Sequence, residues 1–331
     1  MKIRMGFRLR YLLPAVAAVL FSCTGPAPSG RPTIPYVEKI LADKASPEHV
    51  LLASIPSGKT AGRIAIIDSP ARGVALLEEF LGSDHFDNID GRAVPDQLPD
   101  FAGENIVFLL DEHNTPFTNF LGNTETLREV TVREALKAFG PDVDAKAVVL
   151  SSALMAQFGA FDLDTLLRSV GANVPVIVPV KALADDCRES AKPEKVAVFS
   201  EIEPLAKSGT YETLFAGVDC FAGFVADSVE AGASLRSLLR AYRDAGRSGA
   251  ITLFCIDDFR LTPEAIRAEA EEIIGVETEE NLQLRQLIAR DYRVVSTLET
   301  ASETCYREFR KRNVFTHDIA YPKGLTLNVQ D

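Results

Sequence analysis

Short apolar runs alternate with amphipathic stretches along most of this chain, and no other feature narrows its fold so far. Arg63–Asp68, Ile106–Asp111, Ala147–Leu150, Val174–Val180, Lys195–Ser200, Ile251–Cys255 and Tyr292–Ser296 have the length and the apolar content of buried strands. Pro70–Leu81, Thr126–Phe139, Leu163–Val170, Gly209–Ala216, Gly232–Ala245, Pro263–Ile274 and Glu299–Arg312 carry apolar residues at helical spacing instead. Leu76, Leu77 and Phe80 lie on one such face. Strands that are apolar throughout are covered on both faces, and strand–helix alternation supplies the cover. The pattern therefore predicts an α/β protein with doubly wound, mainly parallel sheets. A chain of 331 residues is long enough for two such domains. A further helix is expected over Pro35–Lys44, and an acidic surface helix over Val276–Arg290.

The amino terminus does not fit that alternation. Lys2, Arg4, Arg8 and Arg10 precede the apolar run Tyr11–Phe21, which is too short for a stable membrane-spanning helix. Leu20-Phe21-Ser22-Cys23 resembles a bacterial lipoprotein cleavage box, with Phe21 where a small residue is usual. The expectation is a signal peptide over residues 1–22, acylation of Cys23, and a Pro/Gly/Ser-rich tether over 23–34. The protein would then be lipid-anchored to a bacterial membrane in the cell envelope, facing the periplasm or the surface. Net charge is −12, and that basic start makes the remainder more acidic still. Without a clustered Lys/Arg surface, there is no electrostatic reason to bind nucleic acid.

Several motifs resolve into bland readings. Ala53–Thr60, ASIPSGKT, lacks the first glycine of a phosphate loop and precedes a strand, so Ser57-Gly58-Lys59 reads as a turn. Asp87–Gly91 fails the calcium-loop register, with Phe86 and Gln97 at ligand positions. The histidines at 49, 85, 113 and 317 form no pair at metal-ligand spacing, and Cys187, Cys220, Cys255 and Cys305 form no CxxC. No metal is expected. Those four cysteines allow three full disulfide pairings in an exported protein. Asp68 or Ser69 would cap the helix that follows the first strand. Cys255, near the carboxyl end of its strand and followed by Asp257 and Asp258, lies where open α/β sheets collect ligands.

Eight segments in order resemble the aspartate/glutamate racemase family, glutamate racemase especially, from about residue 62 to 310. Arg63–Glu79, RIAIIDSPARGVALLEE, is similar to its first strand, Asp-Ser-Gly turn and helix. Glu104–Phe117 resembles the second strand and Pro-Tyr-Gly loop, and Ala147–Ala156 falls on the strand ending in Cys-Asn-Thr. Val174–Val180 is like its linking strand, Glu194–Leu214 its Thr-rich turn and Ser-Gly-x-Tyr segment, and Val229–Gly232 its Val-Glu-Glu-Gly. Ile251–Asp257 falls on the strand ending Cys-Thr-His, and Val294–Phe309 on the closing strand and helix.

The resemblance implies two Rossmann-like domains across a cleft: 35–176 with 292–331, and 177–291. It implies cofactor-independent inversion of an α-carbon by two cysteines on opposite faces, one removing a proton and the other returning one. Cys255 matches the second cysteine, but Ser151 stands at the first, Ala153 at the Thr, and Ile256 and Asp257 at Thr-His. A serine is a far weaker acid, and no adjacent base is evident to activate it. Asp68, Ser151, Cys255 and Asp257 are thus the expected acid–base positions. Ser69, Pro116, Phe117, Ser152 and Glu230 are the expected substrate contacts.

Three functions follow. The first is an inactive or altered racemase-like protein whose cleft binds a small amino acid or dicarboxylate. The second is an active racemase or related isomerase of glutamate or aspartate using Cys255. The third is an envelope interaction protein, with Val276–Arg290 the first surface to consider. The substitutions favour the first, as does an outward-facing lipoprotein, since D-glutamate for wall precursors is needed in the cytoplasm. No cofactor is expected. The partners are the cleft ligand, the membrane through Cys23, and a second copy in a homodimer.

Overall fold

A computed structural model describes residues 31–110, 113–225, 232–316 and 326–329. Its strands are β1 Arg63–Asp68, β2 Asn105–Leu110, β3 Ala145–Leu150, β4 Val176–Ile177, β5 Lys195–Ser200, β6 Asp219–Gly223, β7 Ile251–Asp257, β8 Ile288–Ser296 and β9 Thr326–Val329. They form two sheets, ordered β4-β3-β1-β2-β9 and β6-β5-β7-β8. Every pairing is parallel. Parallel neighbours need a crossover, and the helices supply it while covering both faces of each sheet.

The helices are α1 Pro35–Ala42, α2 Pro47–Ala53, α3 Pro70–Gly82, α4 Thr124–Phe139, α5 Ala153–Phe158, α6 Ala160–Val170, α7 Pro179–Glu189, α8 Glu203–Lys207 and α9 Thr210–Leu214. After them come α10 Ser234–Asp244, α11 Pro263–Gly275, α12 Glu279–Leu284 and α13 Thr297–Arg312. Proline opens α1, α2, α3, α7 and α11, where its missing N–H costs nothing. The hydroxyls of Thr262, Thr278 and Ser296 cap α11, α12 and α13.

Three segments differ from expectation. Only Val176–Ile177 of the run Val174–Val180 is strand, because Pro179 starts α7. Val276–Arg290 is not one surface helix. The Asn281 amide donates to Glu272 O and Val276 O, which turns α12 back on α11, and β8 begins at Ile288. Tyr292–Ser296 therefore lies in the second sheet beside β7, so the chain does not rejoin the first half at residue 292. It does so through α13, whose Ala301, Cys305, Tyr306 and Phe309 share a core with α3 and Phe101.

Alternation along the strands sorts three apolar cores. Ala65 and Ile67 of β1 face a core shared with Val196 and Val198 of β5 and Leu253 and Cys255 of β7. Ile64 and Ile66 face α3 and α13, while Phe254 and Ile256 face α10 and α11. The shared core joins the two halves, and Thr33–Asp331 forms one compact unit. Of the other unit, Met1–Pro32, only Arg31 and Pro32 are described, so the expected signal peptide and Cys23 lie outside the described residues.

Candidate active site

Strand register brings two rows of polar side chains to the carboxyl ends of the sheets. In the first sheet Ile67 pairs with Leu150, so the next residues, Asp68 and Ser151, stand side by side. In the second sheet Ser200 pairs with Asp257, and Ile256 pairs with Ser296, which sets Thr297 beside Asp257. The Ser151 hydroxyl donates to Asp68 Oδ2, and the Ser69 N–H donates to Asp68 Oδ1 at 2.6 Å. The Asp68 side chain thus bonds the first backbone amide after it, and the Ser69 side chain makes no cap bond.

One side chain spans the two rows. Arg72 is the third residue of α3, and helical side chains lean towards the amino terminus, here towards the strand ends. Its Nη2 donates to Asp257 Oδ1 and, at 2.7 Å, to Thr297 Oγ1. Its Nη1 donates to the Asp257 carbonyl at 2.7 Å and lies 3.7 Å from Glu201 Oε2. Nε is 3.3 Å from Asp68 Oδ2, within ion-pair range but not aligned as a hydrogen bond. Asp257 is completed by the Tyr211 hydroxyl, which donates to Oδ2 at 2.5 Å, and by Thr297 Oγ1, which donates to Oδ1 at 2.7 Å. Asp68, Arg72, Ser151 and Asp257 are each 1–2% exposed.

A cation in the first turn of a helix opposes the macrodipole, so carboxylates must hold it there. Burial pulls the Arg72 pKa down, but Asp257, Asp68 and Glu201 pull it up further, and the guanidinium stays charged. Burial raises the Asp68 pKa despite Arg72 and Ser151, which both favour the carboxylate. Burial, followed by repulsion from Asp68, Asp257 and Asp258, lifts Glu201 to about 7 against the pull of Arg72. Burial and then Asp257 push Tyr211 well above the ordinary range, which keeps its hydroxyl a donor. Asp258 is engaged by Arg260, whose Nε donates to it at 2.8 Å.

Cys255 is placed differently from expectation. It shares the face of Asp257 but lies two residues lower, wholly buried in the apolar core shared by the sheets. Burial, and then the Asp257 charge, raise its thiol well above the usual value. A catalytic thiolate needs the opposite environment. Cys187, Cys220, Cys255 and Cys305 are all free and buried, so none of the possible disulfides forms. Burial lifts Cys187 to about 11. Phe117 is also core, 4% exposed in a 3-10 turn over Phe117–Phe120, and Pro116 before it is exposed. Ser152 is half-buried at the start of α5 and makes no cap bond. Glu230 lies outside the described residues.

The structure thus joins Asp68, Ser151 and Asp257 and leaves Cys255 out of their hydrogen bonds. It adds Arg72, Thr297, Tyr211 and Glu201. Arg72 left a trace in the sequence, since it continues the stripe of Leu76 and Phe80 and so puts a charge on the core face of α3. Among the described residues, no cluster of three or more His, Cys, Asp or Glu could hold a metal, and no helix is long and apolar enough to cross a membrane.

No family model matches the sequence, and no curated protein matches it. Solved structures do match. A glutamate racemase isoform, RacE1, from Bacillus anthracis aligns with a TM-score of 0.50 at 15% identity, over 79% of this chain and 86% of that one. A glutamate racemase from Francisella tularensis in complex with D-glutamate aligns with a TM-score of 0.52 at 12% identity, over 82% and 89%. One from Thermus thermophilus in complex with beta-chloro-D-alanine gives 0.52 at 14%, over 83% and 90%. At these identities the likeness is one of fold.

Proposed function

We propose that this chain, which has the glutamate racemase fold, is a non-racemising protein lipid-anchored through Cys23 in a bacterial cell envelope. The observation that carries the reading is the seat of Arg72. Its guanidinium occupies the space between the strand ends and engages both Asp68 and Asp257. Two-base inversion needs an acid and a base free to approach one carbon from opposite faces. A base, Asp68, does stand beside Ser151, but that carboxylate faces the Arg72 guanidinium, and the Cys255 thiol is sealed in apolar core. What remains at the strand ends is a cluster of acceptors suited to binding.

Polarimetry of the purified protein with L- and D-glutamate and L- and D-aspartate tests this. The expected result is no change in rotation. Turnover abolished by Cys255→Ala would overturn it in favour of an active racemase or isomerase. A homodimer is part of the same proposal, and light scattering of the purified protein reads it directly.

A further inference from the structure

We propose that the strand ends form a receptor for a guanidinium group, which the chain itself fills with Arg72. The inference names the ligand class of the site proposed above as non-catalytic, and rests on that reading. The argument is geometric first. Guanidinium presents N–H donors in a rigid planar fork, whereas an ammonium is a compact point charge. The acceptors around Arg72 suit the two Nη groups of the fork. Asp257 offers a carboxylate oxygen to Nη2 and its carbonyl to Nη1, Thr297 Oγ1 takes a second bond from Nη2, and Asp68 Oδ2 lies 3.3 Å from Nε.

These acceptors come from distant parts of the sequence and are held independently of Arg72. The Tyr211 and Thr297 hydroxyls both donate to Asp257, and Ser151 and the Ser69 amide donate to Asp68. Both carboxylates therefore keep orienting partners if the guanidinium leaves. Charge sets the sign of the ligand. With Arg72 gone, Asp257, still held by the Tyr211 and Thr297 hydroxyls, would face Asp68 and Glu201 with no cation among them, a set of acceptors that takes a small cation and offers glutamate or aspartate no cationic partner. The vacated volume is that of an arginine side chain, lined by groups that were satisfied by it. A deleted side chain leaves a cavity that a ligand of matching shape and polarity can occupy. In the intact chain a free ligand must first displace Arg72, so the tethered group keeps the receptor closed.

The test is a thermal scan of the full chain carrying Arg72→Ala, purified in detergent, with methylguanidinium as the probe. A probe that binds only the folded state raises the midpoint. The expected result is a rise of several degrees for Arg72→Ala, little change for the unaltered chain, and a weaker response to methylammonium. Adding Asp257→Asn should abolish the response. Folded Arg72→Ala that gains no more than the unaltered chain would overturn the proposal, as would a response that survives Asp257→Asn. Should Arg72→Ala not fold alone, it is refolded from urea with methylguanidinium or with tetramethylammonium. Recovery only with the former supports the receptor, and no recovery with either overturns it. Binding is read without turnover. Racemisation by the unaltered chain would therefore sink the non-catalytic proposal while leaving this measurement interpretable.

Discussion

Arg72 is 2% exposed and bonded to residues as far as 225 positions away, so its removal should be felt in stability before function. Truncating one partner of a buried pair leaves the other charged and desolvated, a loss of about 3–5 kcal/mol. Arg72→Ala is therefore expected to lower the unfolding free energy read from a urea titration by that order. A double-mutant cycle with Asp257→Ala should recover part of the loss, because the second change removes the stranded carboxylate. Additive losses would mean that Arg72 and Asp257 are not coupled. Cys255 illustrates the converse at the same scale. A cysteine near a strand end is chemically suggestive, but one that faces the core is a small apolar residue. Side-chain parity decided between the two: Asp257 shares its face and stands at the rim, while Cys255 is two residues further in.

At the scale of the element, α3 is the part that sets the guanidinium in place, and its closeness to β2 is the condition. A Cβ on Gly73 would lie 2.1 Å from the Phe108 ring, a carbon–carbon distance that no packing tolerates. Phe108 is itself core, 2% exposed, and has little room to yield. Gly73→Ala should push α3 off the sheet, at a cost of about 1–3 kcal/mol typical of overpacking. Urea unfolding reads the loss, and an unchanged midpoint would show that the Phe108 ring moves freely. The same helix shows how far sequence reading reaches. Its start at Pro70 and its apolar stripe follow from residue types. By contrast, the helical pattern expected across Val276–Arg290 gave way to α12 and the start of β8, since the Asn281 amide bonds and the pairing of Ile288 with Ile251 outweigh local propensity.

For the whole molecule, the joint between the two halves should depend on pH. Glu201 titrates at about 7 in the folded protein, above the ordinary 4.5 for its type. A carboxyl whose folded pKa is raised binds its proton more tightly when folded, so stability falls as pH rises from about 4.5 through about 7. Asp68, raised by burial, acts in the same direction, beginning from its own lower ordinary value. His85, raised first by its hydrogen bond to Glu79, contributes stability that is present below its unfolded pKa and lost as pH rises through the folded one. Thermal midpoints measured from pH 5 to 8.5 should therefore decline, and Glu201→Gln should flatten the slope by removing the contribution of that carboxyl. A slope unaltered by Glu201→Gln would place the pH dependence elsewhere.

Residue types and their spacing alone determined the α/β class, most strand positions, and the acidic, apolar-cored character of the chain. A strand buried on both faces must be apolar throughout, and a helix must repeat its apolar face, so both leave local patterns. Similarity of eight segments carried Asp68, Ser151 and Asp257 to the strand ends. Only the tertiary structure decided what stands between those ends. The partners of Arg72 are brought within reach by parallel register in two separate sheets and by the approach of α3, and no local pattern records a contact across 185 residues. Whether a carboxylate at a strand end is a free base or the anchor of a buried cation depends on that contact, and here it anchors one.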